Sequence, residues 1–265
     1  MKKILVPVSF SEASKNALLQ ADMLSKQTGA SLSLLHCYHP QPFAREYDFD
    51  DEDYDVGVRK MLIDFYTTTL EATGATSPTL ITFAGSVSEI LPDISPEYDL
   101  LILSRKPGSE LNFTNWFTEK IFYIATKALC PVLITASDRM FFPDAVTSIW
   151  HIRRNEHEAE LVARKLQKLN LDPQLVTTKS LQQTSFISEF WKKIVTYSAD
   201  QDDALLKDLD HAFEQETIDL LVVVNHRKGL FESFVKADAF RIINEFNIPV
   251  LIFQPDPEIN DPRPF

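Results

Sequence analysis

The chain predicts an α/β fold made of two tandem, doubly wound parallel sheets of five strands each. Two observations carry that prediction. Short runs rich in β-branched and large apolar residues alternate with longer segments of helical period, the pattern of a parallel sheet with crossover helices. The pattern also occurs twice. Tyr98-Asp99-Leu100-Leu101-Ile102-Leu103 returns as Ile218-Asp219-Leu220-Leu221-Val222-Val223, and Cys130-Pro131-Val132-Leu133-Ile134 returns as Ile248-Pro249-Val250-Leu251-Ile252. The offset is roughly 120 residues, the scale of one small domain. The seam falls near Ser137 to Asp144, giving a first domain over 1–138 and a diverged second domain over 139–265.

In the first unit, Lys3 to Val8 predicts strand one, and Ser11 to Thr28 a helix with Ala17, Leu18, Ala21 and Leu24 on one face. Gly29 is a natural residue to end it. Ser31 to Tyr38 is strand two, Asp53 to Thr73 a helix closed by Gly74, and Thr79 to Ala84 strand three. Ser86-Val87-Ser88-Glu89 has the spacing of a capping box. Asp99 to Ser104 is strand four, and Thr114 to Ala128 a helix with Phe117, Ile121 and Ile124 at core spacing. Val132 to Thr135 is strand five.

The second unit repeats the plan in reduced form. Val146 to Ile152, Gln174 to Thr178, Lys193 to Tyr197, Asp219 to Val224 and Val250 to Phe253 predict its strands. Asn155 to Leu169, Asp202 to Gln215 and Phe234 to Phe246 predict helices, with room for only a short one between Lys179 and Lys192. The tail Pro255 to Phe265 carries four prolines and is expected to be extended or mobile.

Composition narrows the function. The 265 residues are 45% hydrophobic and 24% charged, an ordinary globular mixture, and the formal charge is −12. That field opposes capture of a phosphate backbone or an anionic membrane, so neither nucleic acid nor membrane is an expected partner. No run of 18 apolar residues occurs and the opening apolar stretch is too short for a signal peptide, so a soluble protein is expected. Cys37 and Cys130 each lie in an apolar run, as reduced core thiols would in a cytoplasmic protein. Only six glycines are present, about a third of the usual ~7% share, which leaves little for glycine-rich phosphate loops.

The opening KKILVPVSFSEASKNAL, the strand-four segment YDLLILS and the closing CPVLIT resemble the universal stress protein family. YSADQ, IDLLVVVNHRKGLFESF and IPVLIF resemble a diverged second copy. The resemblance implies a Rossmann-like tandem member, with Val132–Thr135 and Val250–Phe253 pairing within the chain as a pseudo-dimer; a further homodimer is left open. The prolines before each of these strands suit the first residue of an edge, and an apolar edge calls for a cover.

Ligands of open α/β sheets sit beyond the carboxyl ends of the strands where strand order reverses, here between strands one and four. The resemblance implies an ATP site there, with an aspartate after strand one and a G-x-x-G-x9-G-[ST] loop after strand four. This chain departs from both. Ser9 stands where the aspartate is expected, and of the loop glycines only Gly108 remains. Trp116 and Phe117 replace small residues, and Glu110 and Glu119 add negative charge. The candidate ligand mouth is therefore Ser9, Ser104, Arg105, Lys106, Gly108, Ser109 and Thr118, with the two cations able to hold an anion without a glycine cradle.

Each of these residues also has a plainer reading. Ser9 and Glu12 have capping-box spacing, and Ser11 is an equally good N-cap. Arg105 and Lys106 read equally as a solvated loop pair. In the second unit His151-Ile152-Arg153-Arg154 ends strand one without an aspartate, and His226, Arg227 and Lys228 read as an exposed basic turn.

The acidic run Asp48 to Asp55 fits no calcium-loop register and reads as a solvated helix start. His36 and His39 lack a second ligand motif for zinc. With no nucleophile elbow, HExxH or P-loop, no catalytic residue and no metal site is expected. The expected protein is noncatalytic, contains no cofactor and acts through a protein partner or a small ligand. An adenine-nucleotide-binding stress protein with an atypical loop in domain 1 is the alternative, and unrelated chemistry on the same superfold a third.

Overall fold

In a computed structural model of the chain, the structure describes residues 1–38, 51–70, 77–105, 121–136 without 122 and 126, 140–153 without 143, 144, 147 and 148, 157–171, 176–180, 219–224 and 248–254. The elements are β1 (Lys3–Pro7), α1 (Glu12–Thr28), β2 (Ser31–Tyr38), α2 (Asp51–Leu70), β3 (Thr79–Ala84), α3 (Val87–Ile94), a 3-10 turn (Ser95–Glu97), β4 (Leu100–Ser104) and β5 (Val132–Thr135). They continue with β6 (Ile149–Arg153), α4 (His157–Lys168), β7 (Val176–Ser180), β8 (Leu220–Val224) and β9 (Val250–Phe253).

The nine strands of the described residues join one sheet in the order β3-β2-β1-β4-β5-β9-β8-β6-β7. Every neighbouring pair is parallel except β5 with β9, which run antiparallel with Val132 opposite Ile252 and Leu133 opposite Leu251. The described strands form a continuous sheet, five in its first part and four in its second, because the two apolar edges satisfy each other's backbone groups. The predicted strand Lys193 to Tyr197, the helices Asp202 to Gln215 and Phe234 to Phe246, and the tail from Pro255 lie outside the described residues.

Local chemistry explains the ends of the elements. Ser11 caps α1, its hydroxyl accepting from the Ser14 amide, and Gly29 ends the helix at φ 69 with its amide donating to the Ser25 carbonyl. At α3 the capping-box expectation fails. The Ser86 hydroxyl lies 2.8 Å from that of Ser88 and makes no side-chain cap bond. β6 is described over Ile149–Arg153, and Val146, where the predicted strand starts, lies outside it, just after Ala145 closes a turn onto the Phe142 carbonyl; 147 and 148 lie outside the described residues.

The two parts repeat each other's contacts. The Leu101 amide donates to the Pro131 carbonyl at 2.9 Å, and the Leu221 amide to the Pro249 carbonyl at 3.0 Å. Ile4, Val6, Leu34, Ile102 and Leu133 form a core with Leu18 and Leu24 of α1, and Ile149, Leu220, Val222 and Phe253 extend it with Val162 and Leu166 of α4. Such runs are apolar throughout because a parallel sheet is covered on both faces.

Buried polar bonds cross between the parts. Gln20 of α1 donates from Nε2 to the Phe141 carbonyl at 2.6 Å and accepts from the Phe141 amide at 2.7 Å. Gln254 donates to the Ala125 carbonyl at 3.0 Å, while within the second part Lys165 donates to the Gln254 carbonyl at 2.6 Å.

Candidate ligand mouth

The strand order reverses between β1 and β4, so the mouth predicted from the sequence opens at their carboxyl ends. After Pro7 the chain keeps one more sheet bond, from the Val8 amide to the Leu35 carbonyl, and then turns sharply into α1. Ser9 is exposed, Phe10 takes φ 57, and Ser11 caps the helix.

The serines form a closed group. The Ser9 hydroxyl lies 2.8 Å from that of Ser14 and 3.0 Å from that of Ser11, and the Ser9 amide donates to Ser14 Oγ at 2.9 Å. Ser14 is buried. A hydroxyl has one hydrogen to donate, so this triangle uses its donors internally. A ligand acceptor would have to break one of these bonds. Of the two capping readings, the Ser11 one holds, and Glu12 instead pairs with Lys15.

Aromatic side chains stand beside the serines. The Phe10 ring lies 4.6 Å from the His36 ring, tilted by 40°, and meets Phe65 of α2 edge-on at 5.6 Å. His36 Nδ1 is 2.7 Å from the Val8 carbonyl oxygen, an acceptor, so Nδ1 carries a hydrogen. Sequence reasoning weighed His36 only as a zinc ligand and did not single out Phe10. The available signal was a bulky residue between two serines at a strand-to-helix turn.

The β4 side differs from expectation. Ser104 ends β4 opposite Thr135 of β5. Arg105, expected at the mouth or as half of a solvated pair, is only 6% exposed and donates from Nη2 to the Ile248 carbonyl just ahead of β9. Burial lowers its pKa to about 10, which leaves it charged at neutral pH. Its guanidinium thus ties β4 to the second part of the sheet. Lys106, Gly108, Ser109 and Thr118 lie outside the described residues, as do Glu110, Trp116, Phe117, Glu119 and the second unit's 225–229.

Other candidates have local roles. The Thr82 hydroxyl and Arg59 hold the Asp55 carboxyl below its ordinary range and tie α2 to β3. Burial pushes the Cys37 thiol up to about 11 and the Cys130 thiol up to about 12, far from the thiolate that reactivity requires. Among the described residues no group of three or more His, Cys, Asp or Glu gathers as a metal site, and no helix is long and apolar enough to cross a membrane.

Comparison with known proteins agrees with this geometry. No curated protein matches the chain. Among solved structures, a universal stress protein from Archaeoglobus fulgidus DSM 4304 superposes with a TM-score of 0.59 at 12% identity, covering 97% of each chain. A functionally unknown protein from Pseudomonas aeruginosa PAO1 superposes with a TM-score of 0.54 at 16% identity, covering 97% of this chain and 93% of its own. These likenesses establish a shared α/β fold over nearly the whole length. The sequence model of the universal stress protein family matches residues 1–136. With that match over half its length, on a sheet whose strand order reverses at the predicted mouth, the chain belongs to the universal stress protein family.

Proposed function

We propose that this chain is a noncatalytic tandem universal stress protein, a binding and regulatory module of the stress response that works without ATP. Its units are 1–138 and 139–265, paired through Val132–Thr135 and Val250–Phe253. It acts in the cytoplasm through a protein partner or a small ligand other than a nucleoside triphosphate.

The observation that carries the reading is the end of β1. A neutral serine triangle with internally satisfied donors stands where a carboxylate would grip a ribose. Beside it, the Phe10 ring fills the space next to His36. The turn of Arg105 into the sheet seam adds to this, since it removes one of the two cations that could offset a missing glycine cradle.

The test is the melting temperature of the full chain with and without millimolar ATP and magnesium. A ligand at 100 times its dissociation constant adds about 2.7 kcal/mol of stability, a shift easily resolved. No shift is expected. A clear upward shift overturns the reading in favour of nucleotide binding through the 104–118 loop.

A further inference from the structure

We propose that the outer edge of β3 and the adjoining side of α2 form a docking surface for a second copy of this chain, which pairs about a two-fold axis through Thr82 and competes with Arg59 for the strand's edge. The surface lies away from the ligand mouth and does not depend on what the mouth binds.

Among the described residues β3 ends the sheet, with β2 as its one neighbouring strand. One bond fixes the direction of its backbone groups. The Gly85 amide donates to the Tyr38 carbonyl at 2.8 Å, and Tyr38 lies opposite Ala84. A parallel ladder joins a residue to the two that flank its opposite number, so Phe83 and Gly85 bond towards β2 while Ala84 faces away. Alternation along the strand then turns the amides and carbonyls of Leu80, Thr82 and Ala84 to the open edge. These three positions are symmetric about Thr82. An antiparallel copy therefore matches them one for one, Leu80 with the partner's Ala84 and Thr82 with the partner's Thr82. The sheet already accepts an antiparallel neighbour where β5 meets β9.

Side chains fit the same occupant. The Thr82 hydroxyl bonds Asp55 of α2, so Phe83, 40% exposed, lies on the sheet face away from that helix. The two-fold sets it against the partner's Ile81, an aromatic and β-branched pair of the kind that stabilises antiparallel strands. On the helix, Val56 is 65% exposed and Ile63 49% exposed. Arg59 lies three residues after the first and four before the second, which puts all three on one side of α2. Its Nη1 donates to the Leu80 carbonyl at 3.2 Å, so that side adjoins the β3 edge. The two-fold turns Val56 and Ile63 towards their counterparts. Bare apolar side chains beside an unpaired edge are what strand pairing covers.

Arg59 opposes the pairing. Asp55 accepts from its Nε at 2.6 Å, and the guanidinium occupies the Leu80 carbonyl that the partner's Ala84 amide would take. Docking has to displace it, so Arg59 sets the strength of association.

Sedimentation velocity of the full chain over a wide concentration range tests this, in salt that screens the formal charge of −12 on each copy. The wild-type mass is expected to double as concentration rises. Arg59→Ala lowers the midpoint of that rise roughly tenfold, because a carbonyl on each copy no longer has to exchange one hydrogen bond for another. Ala84→Pro abolishes the rise. The amide it removes makes no bond to β2, and an edge position tolerates proline. Ile63→Lys, at an exposed site, abolishes it too and keeps the test open should the proline variant fold poorly. A wild type of constant mass overturns the proposal, as does a rise that neither Ala84→Pro nor Ile63→Lys diminishes. A midpoint that Arg59→Ala leaves in place or raises also overturns it. Melting with ATP reports on the mouth alone, so the two proposals stand or fall separately.

Discussion

The mouth at the end of β1 and the seam between β5 and β9 use polar groups in opposite ways. At the mouth, Ser9, Ser11 and Ser14 bond to one another across two to five residues of chain. At the seam, Gln20, Arg105 and Gln254 donate to backbone carbonyls 121 to 143 residues away. A local, neutral cluster in contact with water contributes little to the whole molecule. A buried side chain that satisfies a distant carbonyl is costly to remove, because the carbonyl it leaves cannot recover water. Among the described residues, the long-range polar contacts gather where the two parts meet, and those at the carboxyl end of β1 are local.

The two sides of the seam are also unlike each other. By the repeat, Phe253 corresponds to Thr135 and Gln254 to Ala136. Only the second part supplies the large ring and the reaching amide, so a seam made of two first units would lack both the filling and the bond to Ala125.

Three substitutions break or sharpen this contrast. The largest effect is expected from Phe253→Ala, since that ring is 0% exposed. Truncating a buried phenylalanine costs roughly 3–5 kcal/mol, read as a lowered urea midpoint with an unchanged slope; a loss below about 1 kcal/mol would remove the seam's claim to dominance. Next is Gln20→Ala, which orphans both the amide and the carbonyl of buried Phe141. A cost of about 2 kcal/mol is expected in the same measurement, with amide exchange at Phe141 sharply accelerated. The smallest is Ser11→Ala at the mouth, where loss of an N-cap costs about 1 kcal/mol. If Ser11→Ala cost more than Gln20→Ala, the ranking of the two regions would be reversed.

Much of the fold was legible in the sequence because local rules act on it. β5 and β9 begin directly after prolines and open with the same apolar run, Val-Leu-Ile, so their limits could be read directly. β2 and β3 likewise stand between helix-ending or turn residues. β6 was less legible, since Val146 is apolar without belonging to the ladder, and apolarity alone does not reveal register. The mouth was legible as a place and only partly as a set of side chains. Ser9 and Ser104 lie where strand order puts them, but Arg105 left the mouth for a carbonyl that is its neighbour only after folding. Phe10 escaped notice because hydrophobic periodicity carries no information about a left-handed turn. The Gln20 clamp escaped for a simpler reason, a polar residue on an apolar helix face having no visible partner until residue 141 arrives.

One consequence of the antiparallel register of β5 with β9 concerns direction. The described strands of the first part point one way and those of the second point the other, so the carboxyl ends of β1 and β6 emerge at opposite ends of one sheet. Anything gripped at one end is held apart from anything gripped at the other by the width and length of that sheet. Among the described strands, the carboxyl-end edges of the two parts therefore face away from each other.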